Sequence, residues 1–352
     1  TTTTSLVASL LAKGNIDPTY VIGGQLNSSG THARLGLSDY LVAEADESDA
    51  SFLYLQPMMA IVTNIDQDHL STYGGDFEQL KRTFVEFLHH LPFYGLAVLC
   101  IDDPVVREVM PEVARPMLTY GEAEDADVRV SDIRARGPQT SFNVWLPGEG
   151  GALDVTLNLT GRHNVLNATA AISIAWELEV SREAIGEALA EFSGIGRRCQ
   201  INEGVVVANG QIMHIDDYGH HPREISATLG GIRAAWPEKT LTVLFQPHRY
   251  TRTRDLFEDF SRVLSEADRL ILLDVYPAGE NHIKDADGRA LARSIRGRGK
   301  VDPVFVETLE ELDEVVESVV QDGDIFVTLG AGSIGAWSAD FLARHKQSGS
   351  KS

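Results

Sequence analysis

The residues best suited to chemistry sit in short clusters that end apolar runs. Asp216-Asp-Tyr-Gly-His-His-Pro222 gathers two acids, an aromatic ring and two imidazoles on one turn. Gln246-Pro-His-Arg-Tyr-Thr-Arg-Thr-Arg254 sets Arg249 and Arg252 three positions apart at a helix start, beside His248, which suits an anion clamp. Glu44-Ala-Asp-Glu-Ser-Asp49 holds four acids within six residues, a pattern that reads as a solvated turn or as cation ligands. Thr63-Asn-Ile-Asp-Gln-Asp-His69 adds an imidazole, and a carboxylate and a His on neighbouring strand ends suit an Mg²⁺ site. The alternative for His69 is a structural turn residue.

Thr1-Thr2-Thr3-Thr4 opens an apolar helix that stops at Gly14. Threonines in that place follow the Lys of a phosphate-binding loop, G-x-x-x-x-G-K-[ST], whose first hydroxyl ligates Mg²⁺ while the helix N-terminus favours phosphate. They also read as a plain N-cap. On the first reading the chain is an ATP-dependent enzyme that begins inside its own active site. Asn164 and Asn167, three apart at a helix start, can present a donor and acceptor edge to adenine, and Asn164 can also cap that helix. Gly330-Ala-Gly-Ser-Ile-Gly335 matches G-x-G-x-x-G, but no acid follows at the expected spacing. It reads as a tight turn with close helix–strand packing rather than a dinucleotide site.

Elements that could hold these clusters alternate along the chain, as in a parallel sheet covered by helices, an α/β fold. Expected strands are 20–22, 40–44, 60–64 and 97–101, with helices at 4–12, 77–89 and 105–109. From about 128 to 159 three strands separated by Gly/Pro turns form an antiparallel patch appended to the parallel sheet. Helices to Glu177 and over 181–191 follow. Ser193-Gly-Ile-Gly-Arg-Arg198 has the composition of a joint, dividing domains 1–193 and 194–352. Beyond it, strands 212–216, 241–245, 269–273, 303–306 and 325–328 alternate with helices 222–235, 253–264, 288–295 and 309–320, a doubly wound unit. The Lys/Ser/Gly-rich tail from about Arg344 reads as disordered.

The formal charge of −21 argues against nucleic-acid or anionic-membrane surfaces. Two cysteines, Cys100 and Cys199, are too few for a disulfide framework. With no basic leader and no apolar run of membrane-spanning length, the reading is a soluble, cytoplasmic protein. Nothing in the residues sets an oligomeric state.

EADESDASF (44–52), TNIDQDH (63–69), GRHNVLNA (161–168), GRR (196–198), DDYGHHP (216–222) and FQPHRYTRTRD (245–255) together resemble the Mur ligases, over essentially the whole chain to about Leu342. The resemblance implies a P-loop ATPase-type central domain, truncated at its start and carrying the antiparallel appendage, then a Rossmann-like C-terminal domain. An N-terminal UDP-binding domain and the first part of the phosphate loop are expected before Thr1. The FQPHRYTRTR string is similar to members that join L-alanine to UDP-N-acetylmuramate through an acyl phosphate, using ATP and Mg²⁺. The alternatives are the tripeptide-adding member of murein recycling and a non-catalytic nucleotide-binding fragment.

The roles implied follow the motifs. Thr1 ligates Mg²⁺, and Thr1 and Thr2 meet the nucleotide. Glu44 and His69 hold a second Mg²⁺, so that His69 counts as catalytic. Asn164 and Asn167 meet adenine, Asp217 the ribose and Arg198 the phosphates. His220, Tyr218, Arg249 and Arg252 line the pocket for alanine and the reacting carboxylate, with His163 and His248 beside them. Where sister ligases carry a carbamylated Lys, this chain has Phe84, so no carbamate is expected and Lys81 reads as a surface or phosphate-proximal residue. Cys199 stands where relatives place an aromatic, which puts packing at the joint in question. The isolated chain is expected to turn over negligibly, and its central sheet to carry an unpaired edge.

Overall fold

The computed structural model describes residues 1–148 and 150–345. Two compact units divide at Ile195 and Gly196. The tail expected to be disordered lies, from residue 346, outside the described residues.

The first unit begins with α1 (Thr2–Lys13), β1 (Thr19–Leu26), β2 (Thr31–Arg34), β3 (Leu41–Ala43) and β4 (Met59–Val62). It continues through α2 (Phe77–His89), β5 (Leu96–Cys100), α3 (Pro104–Val109) and β6 (Met117–Gly121). The appendage β7 (Val128–Arg136), β8 (Gln139–Trp145) and β9 (Leu153–Leu157) precedes α4 (Arg162–Glu177) and α5 (Arg182–Glu191). Six strands form one sheet in the order β4-β5-β6-β7-β8-β9, parallel as far as β7 and antiparallel after it. Each element has a local cause. The buried run 97–100 in β5 suits an inner parallel strand, and β9 alternates buried and exposed as a strand with one wet face does. Asp76 and Asp103 cap α2 and α3, the latter with Pro104 in its first turn. Ala168, Ala170, Ala171 and Ala175 are buried on α4, small enough to let α1 pack closely against it.

One expectation about this unit is corrected. Strands β1 and β3 pair in a separate three-stranded sheet, order β2-β1-β3, and β3 does not neighbour β4. The sheet rule therefore does not bring Glu44 and His69 together.

The second unit runs β10 (Gln200–Val207), β11 (Gly210–Asp217), α6 (Pro222–Ala235), β12 (Leu241–Phe245), α7 (Tyr250–Asp255) and α8 (Phe257–Leu264). It ends with β13 (Arg269–Leu273), α9 (Gly288–Gly297), β14 (Val304–Val306), α10 (Leu312–Val319), β15 (Ile325–Leu329) and α11 (Ile334–His345). Its sheet order is β10-β11-β15-β12-β13-β14, parallel except for the β10 edge. The helix expected over 253–264 is two helices, broken at Leu256 where the backbone leaves helical angles. Strands β2, β6 and β10 and helix α11 were not anticipated; Gly204, at φ +70° where the β10 register shifts, hides β10 from a simple alternation. Among the described residues no helix is long and apolar enough to cross a membrane.

Candidate active site

In the first unit, loops rather than strand pairing assemble an acidic cluster. Glu44, just past β3, accepts from the Thr1 hydroxyl at 2.7 Å through one oxygen and from the Gly23 amide at 2.7 Å through the other. Two of the three predicted Mg²⁺ ligands therefore meet directly. Asp46 and Asp49 accept from the amides of Ser48 and Ser51, so part of the acidic run shapes its own turn. The turn is tied to the segment after His69, where the Thr72 hydroxyl donates to the Ser48 carbonyl at 2.6 Å and the Tyr73 hydroxyl donates to the Glu47 carbonyl. His69 takes a left-handed backbone, φ +53°, with Asp68 3.5 Å from its Nε2. Burial pushes the Glu47 carboxyl above its ordinary range, with Asp46 and Asp68 adding and His69 opposing. Among the described residues no three His, Cys, Asp or Glu converge as a complete cage. A site for Mg²⁺ needs none, because that ion keeps waters and shares one or two carboxylates with phosphates.

A polar line joins α1 to α4. Thr3 Oγ1 donates to Asn167 Oδ1 at 3.0 Å, Asn167 Nδ2 to Asn164 Oδ1 at 3.3 Å, and Asn164 Nδ2 to the Thr160 carbonyl at 2.8 Å. Gly161, at φ +99°, is the N-cap, so the expectation that Asn164 caps α4 is corrected. Thr2 opens α1, and His163 lies half-buried in the first turn of α4. Lys81 is not a surface residue. It is 7% exposed and paired with Glu78 at 2.6 Å and Glu108 at 2.7 Å, which places it in a helix-to-helix ion network.

In the second unit a basic cluster is built on the ends of β11 and β12. His221 caps α6 in a capping box with Glu224, with Pro222 in the first turn. Glu224 Oε2 also accepts from the His220 amide at 2.9 Å, and Oε1 lies 3.9 Å from Arg198. His220 Nδ1 is 3.2 Å from the Tyr218 carbonyl, which can only accept, so Nδ1 carries a proton. The Tyr218 ring receives the guanidinium groups of Arg197 and Arg198 at 5.4 and 5.2 Å. Asp217 is buried, and both its oxygens accept backbone amides, Cys199 and Gly219, each at 2.7 Å. These bonds hold the Cys199 and Gly219 backbone and leave only remaining lone pairs for a ribose. Cys199 is itself buried in the apolar core, so the missing aromatic leaves packing intact there.

His248 stacks on Tyr276 at 5.5 Å, and its Nδ1 lies 3.4 Å from Arg252 Nη1. Burial first, then His220, Arg252 and Arg249, lowers the His248 pKa from 6.5 to about 4, so the ring is neutral at physiological pH. Arg252 is only 8% exposed. Gln246 accepts from the Ile334 amide at 2.9 Å and donates to Ser333 at 3.0 Å, which anchors the Gly330–Gly335 turn as a packing element. A Cβ on Gly332 would meet Gln246 and Tyr276 at 2.5 and 2.7 Å.

Arg197, Glu224 and Glu280 were not singled out from the sequence. Glu224 had a signal, since His221-Pro-Arg-Glu224 has capping-box spacing with Pro at the first helical position. The others are contacts between distant segments, with no local pattern to announce them.

Residues 1–175 match the Mur ligase middle domain and residues 197–332 the Mur ligase glutamate ligase domain. The chain belongs to the Mur ligase family. It is 62% identical to a UDP-N-acetylmuramate–L-alanine ligase of Halorhodospira halophila over 95% of this chain and 69% of that relative. It is 60% identical to the ligase of the same name in Methylococcus capsulatus, over 95% of this chain and 71% of that relative. Among solved structures, the crystal structure of the UDP-N-acetylmuramate-alanine ligase MurC of Thermotoga maritima superposes with a TM-score of 0.80 at 29% identity, covering 98% of this chain and 72% of that one.

Proposed function

We propose that this Mur ligase joins L-alanine to UDP-N-acetylmuramate at the expense of ATP, a step in making peptidoglycan precursors. The observation that carries the reading is the similarity to alanine-adding ligases along 335 residues, which include the Gln246–Arg254 turn.

The substrate's lactyl carboxylate attacks the γ-phosphorus, forming an acyl C–O–P linkage as the bond to ADP breaks. The alanine amine then adds to the acyl carbon, loses a proton, and inorganic phosphate leaves with the C–O bond. The protein positions reactants and neutralises charge. Arg252, held beside neutral His248, and Arg249 bind carboxylate and phosphoryl oxygens. His220, oriented by its Nδ1 contact with the Tyr218 carbonyl, lines the pocket for alanine and the reacting carboxylate. Arg198 faces phosphate, Tyr218 and His163 contribute to substrate binding, and the Asn164–Asn167 pair meets adenine. Asp217 is left a subsidiary role at the ribose. Thr1, Glu44 and His69 would hold Mg²⁺, with Thr1 and Thr2 at the phosphates. When bound, the ion offsets the negative charge of the phosphate groups.

The test is mass spectrometry of the full-length gene product incubated with ATP, Mg²⁺, UDP-N-acetylmuramate and L-alanine. The expected product is the alanyl amide, with one ADP and one phosphate. Amide formation only when tripeptide replaces alanine would point to the recycling ligase, and nucleotide binding without product would leave a binding fragment. The same assay on the 352 residues alone checks the expectation of negligible turnover.

A further inference from the structure

We infer that Glu280 is the positioning residue of the arginine clamp: its carboxylate fixes the start of α7 so that Arg249 and Arg252 share one orientation. The inference rests on the clamp reading above and adds the residue that builds it.

Three observations converge. The Glu280 carboxylate accepts twice from Thr251, from its amide at 3.0 Å and its hydroxyl at 2.6 Å. The same carboxylate lies 4.0 Å from Arg249 Nη1, whose side chain is 51% exposed and otherwise able to sweep through solvent. The backbone between them is strained, because Arg249 stands at φ +70° and ψ 133°, a conformation that favours glycine. Such a residue persists only where its surroundings over-determine it.

The segment leading to Glu280 supplies that constraint. Arg249 N donates to the Tyr276 carbonyl at 2.9 Å, and Tyr276 N donates to the Pro247 carbonyl at 2.8 Å. The chain then reverses in a tight turn. Glu280 N donates to the Pro277 carbonyl at 2.9 Å, and the two residues between, Ala278 and Gly279, both take positive φ, +46° and +86°. The left-handed Arg249 is therefore hydrogen-bonded to a segment that ends in a tight turn, and the carboxylate that joins them lies at the end of that turn. α7 is a single short helix whose first-turn amides would otherwise depend on water, and an acid there supplies both acceptor and favourable charge. A solvated surface acid would not need a left-handed alanine to place it.

The test uses Glu280→Gln, Glu280→Asp and Thr251→Val in the full-length gene product. Hydrogen exchange over residues 249–255 is read first, because it does not depend on any activity. Glu280→Gln should speed exchange at Thr251 about tenfold or more, the scale of a lost charged hydrogen bond, with the global Tm held within about 2 °C. In the ligase assay Glu280→Gln should raise KM for L-alanine about 10–100-fold while KM for ATP stays within about twofold. Glu280→Asp should recover part of that loss, and Thr251→Val should reproduce part of it. Unchanged exchange in Glu280→Gln overturns the inference. So does an equal rise in both KM values, which would mean general disruption. Altered exchange without any alanine-dependent turnover in the wild type would keep Glu280 as the organiser of the turn while removing the ligase reading.

Discussion

The acidic rim of the first unit and the basic turn of the second hold their side chains in opposite ways. Around Glu44 and His69, short loops are tied by single hydrogen bonds from Thr72 and Tyr73, and the side chains of both residues remain about one-third exposed. Around His248 and Arg252, side chains hold one another, from the Glu224 capping box to the contact of buried Arg252 with half-buried His248. The chemistry explains the contrast. A cation with its waters and phosphates completes an open set of oxygens, whereas an arginine clamp must be rigid before its anion arrives if it is to favour the transition state.

The comparison can be broken most directly at Arg252. Arg252→Ala should lower alanine-dependent phosphate release about 10²–10³-fold, and a loss below about threefold would show that the turn is not a clamp. A smaller effect, on stability, tests how firmly the second unit is held. Asp216 accepts from Arg197 at 3.0 Å and from Thr328 at 2.8 Å while buried. Asp216→Ala should therefore cost about 3 kcal/mol in urea unfolding, since it strands a partly buried guanidinium. Stability within about 0.5 kcal/mol of wild type would mean that this network is slack. In the first unit, Thr3→Val should cost only about 1 kcal/mol, the value of one ordinary hydrogen bond, and should weaken ATP binding measured by calorimetry.

The smallest effect is in pH. The folded pKa of His248 lies near 4, below its ordinary 6.5. The unfolded chain therefore binds more protons between those values, so this contribution to stability is full above about pH 6.5 and is lost as pH falls toward 4. Replacing His248 with Gln should flatten the acid limb of a urea-midpoint profile in that window. An unchanged slope would show that the ring is not held neutral by its surroundings.

Much of the fold was legible, because burial imposes periodicity. The fully buried β12, the capped α2 and the Pro-started α6 read directly from residue type. The site was legible only as clusters. Asp217 was expected at a ribose, and its oxygens also accept the Cys199 and Gly219 amides; Lys81 was expected at the surface or near phosphate, and it is buried between two glutamates. Backbone amides carry no side-chain signature, and Glu108 lies far along the chain from Lys81. The separation of β3 from β4 was hidden for a similar reason, since pairing belongs to the whole sheet while alternation is local.

The central claim, an open cation side and a prebuilt anion side, is tested most directly by titrating Mg²⁺ in the alanine-dependent phosphate-release assay with wild type, His69→Ala and Arg252→Ala. The account predicts that His69→Ala raises the half-saturating Mg²⁺ concentration about 10–100-fold and regains most of its rate at high Mg²⁺, while Arg252→Ala stays slow at every concentration. Equal Mg²⁺ dependence in wild type and His69→Ala, or rescue of Arg252→Ala by Mg²⁺, would contradict it.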